Sequence, residues 1–487
     1  MSFLKLKECL LTNFGIRQTI YKNTFWLFFS EGVSQFFKLL LLIYAARVLG
    51  AVEYGKFTFA LAFVSLFVLL SDFGLISIIT RELSQKTKKE EEFFAIFSLR
   101  IFLCFIVLIL ILISSFFITT DPSIRKIIWI LSVVILISSF SETFDAFFRA
   151  RQKMEYEAGI KILQDFLLVL FGLWVIFKKP SVENLSWGYL ISAILSFIFI
   201  LFFFQIKFFS LKISLDKKVW KKFLSLSWPI GLGSIFMTMC SYIDSTLMGH
   251  FGQIQETGWY NAAIKIVNFT FFVPALTSLA FFPSFSVIFN TSKEKFQEIF
   301  DHYLKIMIFF SIPLILGGIL LAPQIINFIY NDSFAPSILI FQILIIMAGI
   351  FFVSNPFILV LIAANQQIKY FLIAFFAALF NLFFNLLLIP KFSFYGASII
   401  NLSTRLLILI LLLLAVKKLR FLKIFSFNVF SFFLFSLFSS VLMYYILFII
   451  IRFYCLPVIF LIILGMFVYF LPYFLYKIFF QKIKLII

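Results

Sequence analysis

Charge is scarce in this chain. Of 487 residues, 13% are Asp, Glu, Lys or Arg and 63% are hydrophobic, with a mean hydropathy of +1.10. That balance excludes an ordinary soluble domain and predicts a polytopic membrane protein. Cysteine is scarce as well. Cys9, Cys104, Cys240 and Cys455 lie far apart without CxxC or metal-ligand spacing, which excludes a disulfide framework and a zinc site. The two histidines, His250 and His302, fall in different loops and have no evident catalytic partner. There is no Walker A motif, so direct ATP hydrolysis is not suggested. Residues 1–22 carry no apolar core ahead of a small-residue cleavage site, so no cleaved signal peptide is expected.

What is abundant is positive charge, with 41 Lys and Arg against 22 Asp and Glu, a net +19. In a soluble protein this would suggest nucleic acid; here the placement of the cations predicts no such partner. The apolar segments read as about fourteen transmembrane helices of roughly 20 residues each, an all-α polytopic fold. They begin near Asn23, Lys56, Phe93, Ile127, Gly159, Trp187, Phe223, Trp259, Lys305, Pro336, Lys369, Gly396, Ile424 and Cys455, with merging expected around Phe392 or Asp332. Alternating the loops puts Arg81–Lys89, Arg149–Lys161, Lys207–Lys222, Lys293–Lys305, Lys417–Lys423 and both termini on one side. That side holds most of the Lys and Arg, so it is the cytoplasmic one. The outer loops are all short, too short for an extracytoplasmic catalytic domain.

A weak internal repeat divides the chain. Leu49-Gly50, Gly55, Phe57 and Ala60 are echoed by Phe251-Gly252, Gly258, Tyr260 and Ala263. Ala150-Arg151-Gln152 and Tyr156 resemble Ala364-Asn365-Gln366 and Tyr370, and Gly188 corresponds to Gly396. An offset of roughly 200 residues spans an even number of helices and predicts two parallel lobes of about six helices each. The expected divisions are residues 1–22, a cytoplasmic segment; 23–222, the first lobe and linker; 223–416, the second lobe; and 417–487, a further helix pair and tail.

Isolated charges interrupt the apolar segments at Lys38, Arg100, Asp244, Lys265 and Arg405. A charge at bilayer depth costs from a few to over ~10 kcal/mol, and is kept mainly where it lines water or meets a partner. Glu31, Gln35 and Lys38 follow i, i+4, i+7 and form one polar stripe. Lys38 then has two readings, as a ligand for an anion or as one half of an ion pair with Glu31. Lys265 has the same choice with Asp244. Arg100 lies nearer the inner interface, where snorkelling competes with ligand contact. Glu31 and Asp244 are the carboxylates that could carry a proton or help bind sodium, or serve as static counter-ions. Ser234, Thr238, Ser241 and Ser245 accompany Asp244. Asn381 and Asn385, one turn apart, could hydrogen-bond a polar ligand or pack helices. Glu142, Asp145 and Asp165 are expected at the cytoplasmic ends in solvated interface. Pro229, Pro274, Pro283 and Pro356 are expected to kink apolar helices.

The stretch Arg47-Val-Leu-Gly-Ala-Val-Glu-Tyr-Gly-Lys-Phe57 resembles the helix 1–2 junction of the polysaccharide-transporter branch of the multidrug/oligosaccharidyl-lipid/polysaccharide flippase superfamily. So do Ser71-Asp-Phe-Gly-Leu75, Thr80-Arg-Glu-Leu83, Phe147-Phe-Arg-Ala-Arg151, Asn381 with Asn385, Ile389-Pro390 and Tyr395-Gly-Ala397. The lipid II flippase is a neighbouring family with the same fourteen-helix plan. The resemblance implies an O-antigen- or capsule-type flippase, not an enzyme. It would turn an undecaprenyl-diphosphate-linked oligosaccharide over in a bacterial or archaeal cytoplasmic membrane by alternating access. Implied partners are that glycolipid, membrane lipid, H+ or Na+ as coupling ion, and polysaccharide-assembly proteins, with no cofactor or metal. On this reading Lys38, Lys265, Arg405 and Arg100 meet the diphosphate, and Gln35, Thr238, Ser241, Asn381 and Asn385 meet the glycan. The apolar pair after residue 417 receives the lipid tail. The competing readings are a multidrug exporter of the same superfamily, whose cavity would be dominated by carboxylates, and a membrane-embedded polysaccharide polymerase or ligase.

Overall fold

The computed structural model describes residues 12–13, 15–84, 90–208, 212–289, 291–419, 422–424, 426–454 and 456–484. Cys9, Cys455, most of the segment 1–22 and the stretch 85–89 of the basic loop lie outside them. Among the described residues there is no strand. The helices are α1 (Ile16–Asp72), α2 (Leu75–Ser84), α3 (Glu90–Ile118), α4 (Pro122–Ala150), α5 (Met154–Lys178), α6 (Val182–Lys207) and α7 (Lys217–His250). They continue as α8 (Ile254–Thr270), α9 (Phe272–Ile288), α10 (Lys293–Ile329), α11 (Ser337–Ala363), α12 (Gln367–Lys417), α13 (Phe427–Phe453) and α14 (Val458–Lys484). Eleven helical stretches among the described residues are long and apolar enough to cross a membrane. They become twelve when the two arms of α7, bent by 53°, count as one span. α1 and α12 are each two helices joined at one non-helical residue, Gly50 (φ 76°) and Ser393 (φ 51°). The second break falls where merging around Phe392 is expected; at Asp332 the chain makes a short 3-10 turn and the helices stay separate.

The chain divides into two compact units, residues 1–258 and 259–487. In the first, α1 packs on α4, α5 and α7. Apolar burial supplies little drive in lipid, so close packing and polar contacts hold helices together. Phenylalanine does much of this packing. Phe93, Phe144, Phe147, Phe148 and Phe204 form a buried cluster from α3, α4 and α6, with Phe144 and Phe204 edge to face at 4.9 Å. In the second unit α10, α11 and α12 pack in sequence, and α13 and α14 lie against α10. A polar knot sits inside it: Tyr303 of α10 donates to Asn355 Oδ1 of α11 at 2.8 Å, and Ser278 of α9 to the same oxygen at 2.6 Å.

The repeat is visible in the backbone. Gly50 and Gly252 both take a positive φ, 76° and 78°, which glycine adopts without steric cost. The α4–α5 and α11–α12 junctions have the same turn, with Gln152 at φ 54° and Asn365 at φ 55°. This differs by one residue from the register that side-chain identity suggests: Gln152 corresponds to Asn365 and not to Gln366. Gly188 and Gly396 also do equal work. A Cβ at Gly188 would lie 3.1 Å from the Phe171 carbonyl oxygen, and at Gly396 2.9 Å from that of Leu388. Each glycine lets a helix press on the backbone of the preceding one.

Candidate functional site

The polar stripe of α1 meets a matching one on α5. Glu31, Ser34, Gln35 and Lys38 project from α1, while Lys161 and Asp165 share an α5 face at i, i+4 spacing. The two helices pack together, and the charges pair across them. Glu31 pairs with Lys161 and accepts from Gln35 Nε2 at 2.8 Å. Ser34 donates its hydroxyl to Asp165 Oδ2. The Lys38 ammonium lies 3.5 Å from Asp165 Oδ1. The counter-ion of Lys38 is therefore Asp165, and Glu31 is taken by Lys161. This corrects the alternative that paired Lys38 with Glu31. It also corrects the expectation that Asp165 sits in solvated interface, since its side chain is 4% exposed. The Lys38 side chain is 45% exposed, and Glu31 and Lys161 are also partly open. The stripe thus has a closed acidic floor and an open, partly cationic edge.

Arg100 belongs to a different arrangement. Its side chain is fully buried, and its guanidinium donates to Asp72 Oδ1 at 2.6 Å and to Ser139 Oγ at 2.7 Å, as well as to the Ser139 carbonyl. It does not snorkel to an interface, and the half-exposed Glu142 stands 4.0 Å away. Asp72 also accepts from Gly74 N at 3.1 Å and Ile76 N at 3.0 Å, which starts α2 after the left-handed Phe73. The Ser-Asp-Phe-Gly-Leu segment is thus a helix break, a cap and a counter-ion at once. Further along, Arg149 grips Glu157 through two nitrogens, Nε lying 3.0 and 2.9 Å from its oxygens, and Lys22 meets Glu155 at 2.8 Å.

On α7, Asp244 and Ser245 are buried, Thr238 is partly open and Ser241 is exposed. In the second unit Lys265 is half-buried on α8 and makes no ion pair or hydrogen bond among the described residues. The Arg405 guanidinium lies over the Phe351 ring, 5.1 Å from its centroid. Asn381 and Asn385 are fully buried: Asn385 Nδ2 donates to Asn381 Oδ1 at 3.0 Å, and Asn381 Nδ2 to Thr404 Oγ1 at 3.2 Å. This is the helix-packing arrangement. The structure thus unites Glu31, Gln35 and Lys38, links Asn381 to Asn385, and keeps Arg100 in its own closed cluster. Sequence reasoning missed Lys161 and Asp165. The signal that could have found them is their own i, i+4 spacing, complementary in charge to that of α1. Among the described residues no group of three His, Cys, Asp or Glu could hold a metal ion.

An apolar cavity of about 350 Å³ opens in the second unit between α10, α13 and α14. Phe309, Gly317, Met443, Leu447, Gly465 and Tyr469 are among its walls. Tyr469 is anchored at its polar end, donating to the Phe309 carbonyl at 2.7 Å.

The fold is that of solved membrane transporters. The lipid II flippase MurJ, in an inward closed conformation, superposes with a TM-score of 0.73 at 17% identity, over 93% of this chain and 99% of that one. An inward-facing multidrug resistance MATE transporter of the MOP superfamily gives 0.63 at 12% identity, over 86% and 98%. A MOP superfamily transporter from Pyrococcus furiosus gives 0.55 at 14%, over 85% and 98%. The protein is a multi-pass membrane transporter of the multidrug/oligosaccharidyl-lipid/polysaccharide flippase superfamily. No curated protein matches the chain in sequence. The MatE family matches residues 229–387. The family described as polysaccharide biosynthesis protein matches residues 20–289, more than half the chain, and the chain belongs to it.

Proposed function

We propose that this transporter flips a polyprenyl-diphosphate-linked oligosaccharide across the cytoplasmic membrane by alternating access, for export of cell-surface polysaccharide such as O-antigen or capsule. The observation that carries the reading is the open cationic edge of α1, where Lys38 keeps half its side chain exposed while its counter-ion is buried. A diphosphate needs such a charge; a hydrocarbon tail needs an apolar wall, and the cavity beside α13 and α14 supplies one. Lys265, without a described partner, and Arg405 are the further candidates for the diphosphate. Arg100, closed on Asp72 and Ser139, holds helices together instead. Gln35, Thr238 and Ser241, on partly open helix faces, are the glycan candidates, and Asp244 with Glu31 the coupling carboxylates for H+ or Na+.

On this reading the chain performs no covalent chemistry. Residues 23–222 and 223–416 are the repeated halves, 417–487 serve the tail, and both termini are cytoplasmic. Fourteen spans on this reading require the two arms of α1 and the two arms of α12 to cross the membrane separately. Membership of a polysaccharide biosynthesis family supports a glycan-linked substrate.

Multidrug export is the second reading, favoured by the MatE match and by the acidic Glu31 and Asp165 beside Lys38. Complementation separates the two. Lys38→Ala with Lys265→Ala should abolish rescue of a strain lacking its polysaccharide flippase, with normal membrane insertion. Full rescue by the double variant would remove the proposed diphosphate site.

A further inference from the structure

We infer that Asp165 is a resident counter-anion which the substrate's diphosphate displaces from Lys38, so that this exchange sets how tightly substrate is held and how quickly it leaves. The inference rests on the flippase reading above and adds to it a residue on α5.

Three features of the pair carry it. First, the two partners are unequally held. Asp165 is buried and fixed through Oδ2 by the Ser34 hydroxyl, whereas Lys38 reaches Oδ1 and leaves nearly half its side chain exposed. An incoming anion can therefore approach the ammonium while Asp165 stays in place. Second, the contact is loose. A charge-assisted N–H···O bond runs at about 2.7–2.9 Å, and Lys38 stands 3.5 Å from its carboxylate. Arg100, by contrast, meets Asp72 at 2.6 Å and Ser139 besides, with no exposed surface left for a ligand. Third, among the described residues the neighbouring lysine on α5 is already taken. Lys161, one turn earlier on α5, is engaged by Glu31. From α6 Tyr189 comes within electrostatic reach of Asp165, and from α4 Asp145 and Glu142 come within reach of Lys161.

The physical consequence is a two-way exchange. With the site empty, Asp165 neutralises Lys38 and lowers the cost of an ammonium in an apolar segment. A diphosphate carries more negative charge than a carboxylate and takes Lys38 over. As substrate leaves, Asp165 recaptures the ammonium and opposes rebinding. Differences in affinity between related complexes reside mostly in the dissociation rate. Removing the internal competitor should therefore tighten binding and slow release together.

The test uses the purified full-length protein in nanodiscs with undecaprenyl diphosphate as probe, measuring Kd and, in liposomes, turnover of the glycan-linked lipid. Asp165→Asn frees Lys38 and should tighten Kd roughly twofold to fivefold, the scale of a part-exposed ion pair, while turnover falls. Asp165→Glu, one methylene longer, keeps the charge and closes the gap to Lys38, so it should weaken Kd several-fold. Opposite shifts from the two variants support the exchange, and a purely structural pair would give none. Unchanged Kd in both, or weakening in both, would overturn it while wild-type binding leaves the flippase reading standing. Failure of the wild-type protein to bind the probe at all would overturn both.

Discussion

Replacing Asp72 by Asn isolates the energetics of the buried cluster at the α1–α2 break. The substitution keeps one acceptor oxygen for the α2 cap but removes the charge that faces Arg100. That guanidinium is fully buried, 2.6 Å from the lost carboxylate. It would keep its contacts with Ser139, its other close partner; Glu142 stands at 4.0 Å. Leaving one half of a buried ion pair unmatched costs about 3–5 kcal/mol. Loss of part of the cap adds roughly 0.5–1 kcal/mol. Removing both charges at once should be far milder, because a buried pair often breaks even against apolar replacements. The double variant Asp72→Asn with Arg100→Met is therefore expected to recover at least ~2 kcal/mol of the loss in Asp72→Asn. Unfolding of purified protein in mixed detergent micelles by increasing SDS, followed by tryptophan fluorescence, reads both numbers. A single variant within ~1 kcal/mol of wild type, or a double variant no more stable than the single, would refute the view that this pair is a closed structural unit.

Two further outcomes follow from the geometry. A Cβ at position 396 would meet the Leu388 carbonyl at 2.9 Å, and at position 188 the Phe171 oxygen at 3.1 Å. Gly396→Ala and Gly188→Ala should thus each lower the unfolding free energy by about 1–3 kcal/mol, and a variant that costs nothing would contradict the equivalence drawn between the two crossings. Gly317 lines the apolar cavity, and a Cβ there meets only the flexible Met443 methyl, at 3.4 Å. Gly317→Leu should fold, slow flipping of a long-chain lipid-linked glycan, and leave binding of a short-chain polyprenyl diphosphate unaltered; equal loss for both lengths would remove the cavity from substrate handling.

Much of the helical plan could be read directly, because an apolar run of bilayer length has few alternatives. The helix ends could not. The expected starts at Phe93, Gly159 and Trp187 lie inside helices that begin at Glu90, Met154 and Val182. Charged first turns carry each helix past its apolar stretch, and hydropathy sees only the stretch. The same effect hid half of the site. Hydropathy puts Lys161 in a basic loop and Asp165 at an interface, because the helix carrying both starts earlier than its apolar part. The α1 stripe was legible, since i, i+4, i+7 spacing is local. Its partner was not, because the pairing of Lys38 with Asp165 depends on how α1 and α5 cross. At the α11–α12 turn, matching glutamines misled by one residue, since the left-handed position and not side-chain identity defines the equivalence.

The most direct measurement is transbilayer movement by the purified protein in liposomes, with a fluorescent polyprenyl-diphosphate oligosaccharide in the inner leaflet and a quencher or lectin outside. The account predicts outward movement of the lipid-linked glycan that is lost in Lys38→Ala, and no transport of a cationic dye. Dye transport without movement of the glycolipid, or glycolipid movement untouched by Lys38→Ala, would contradict it.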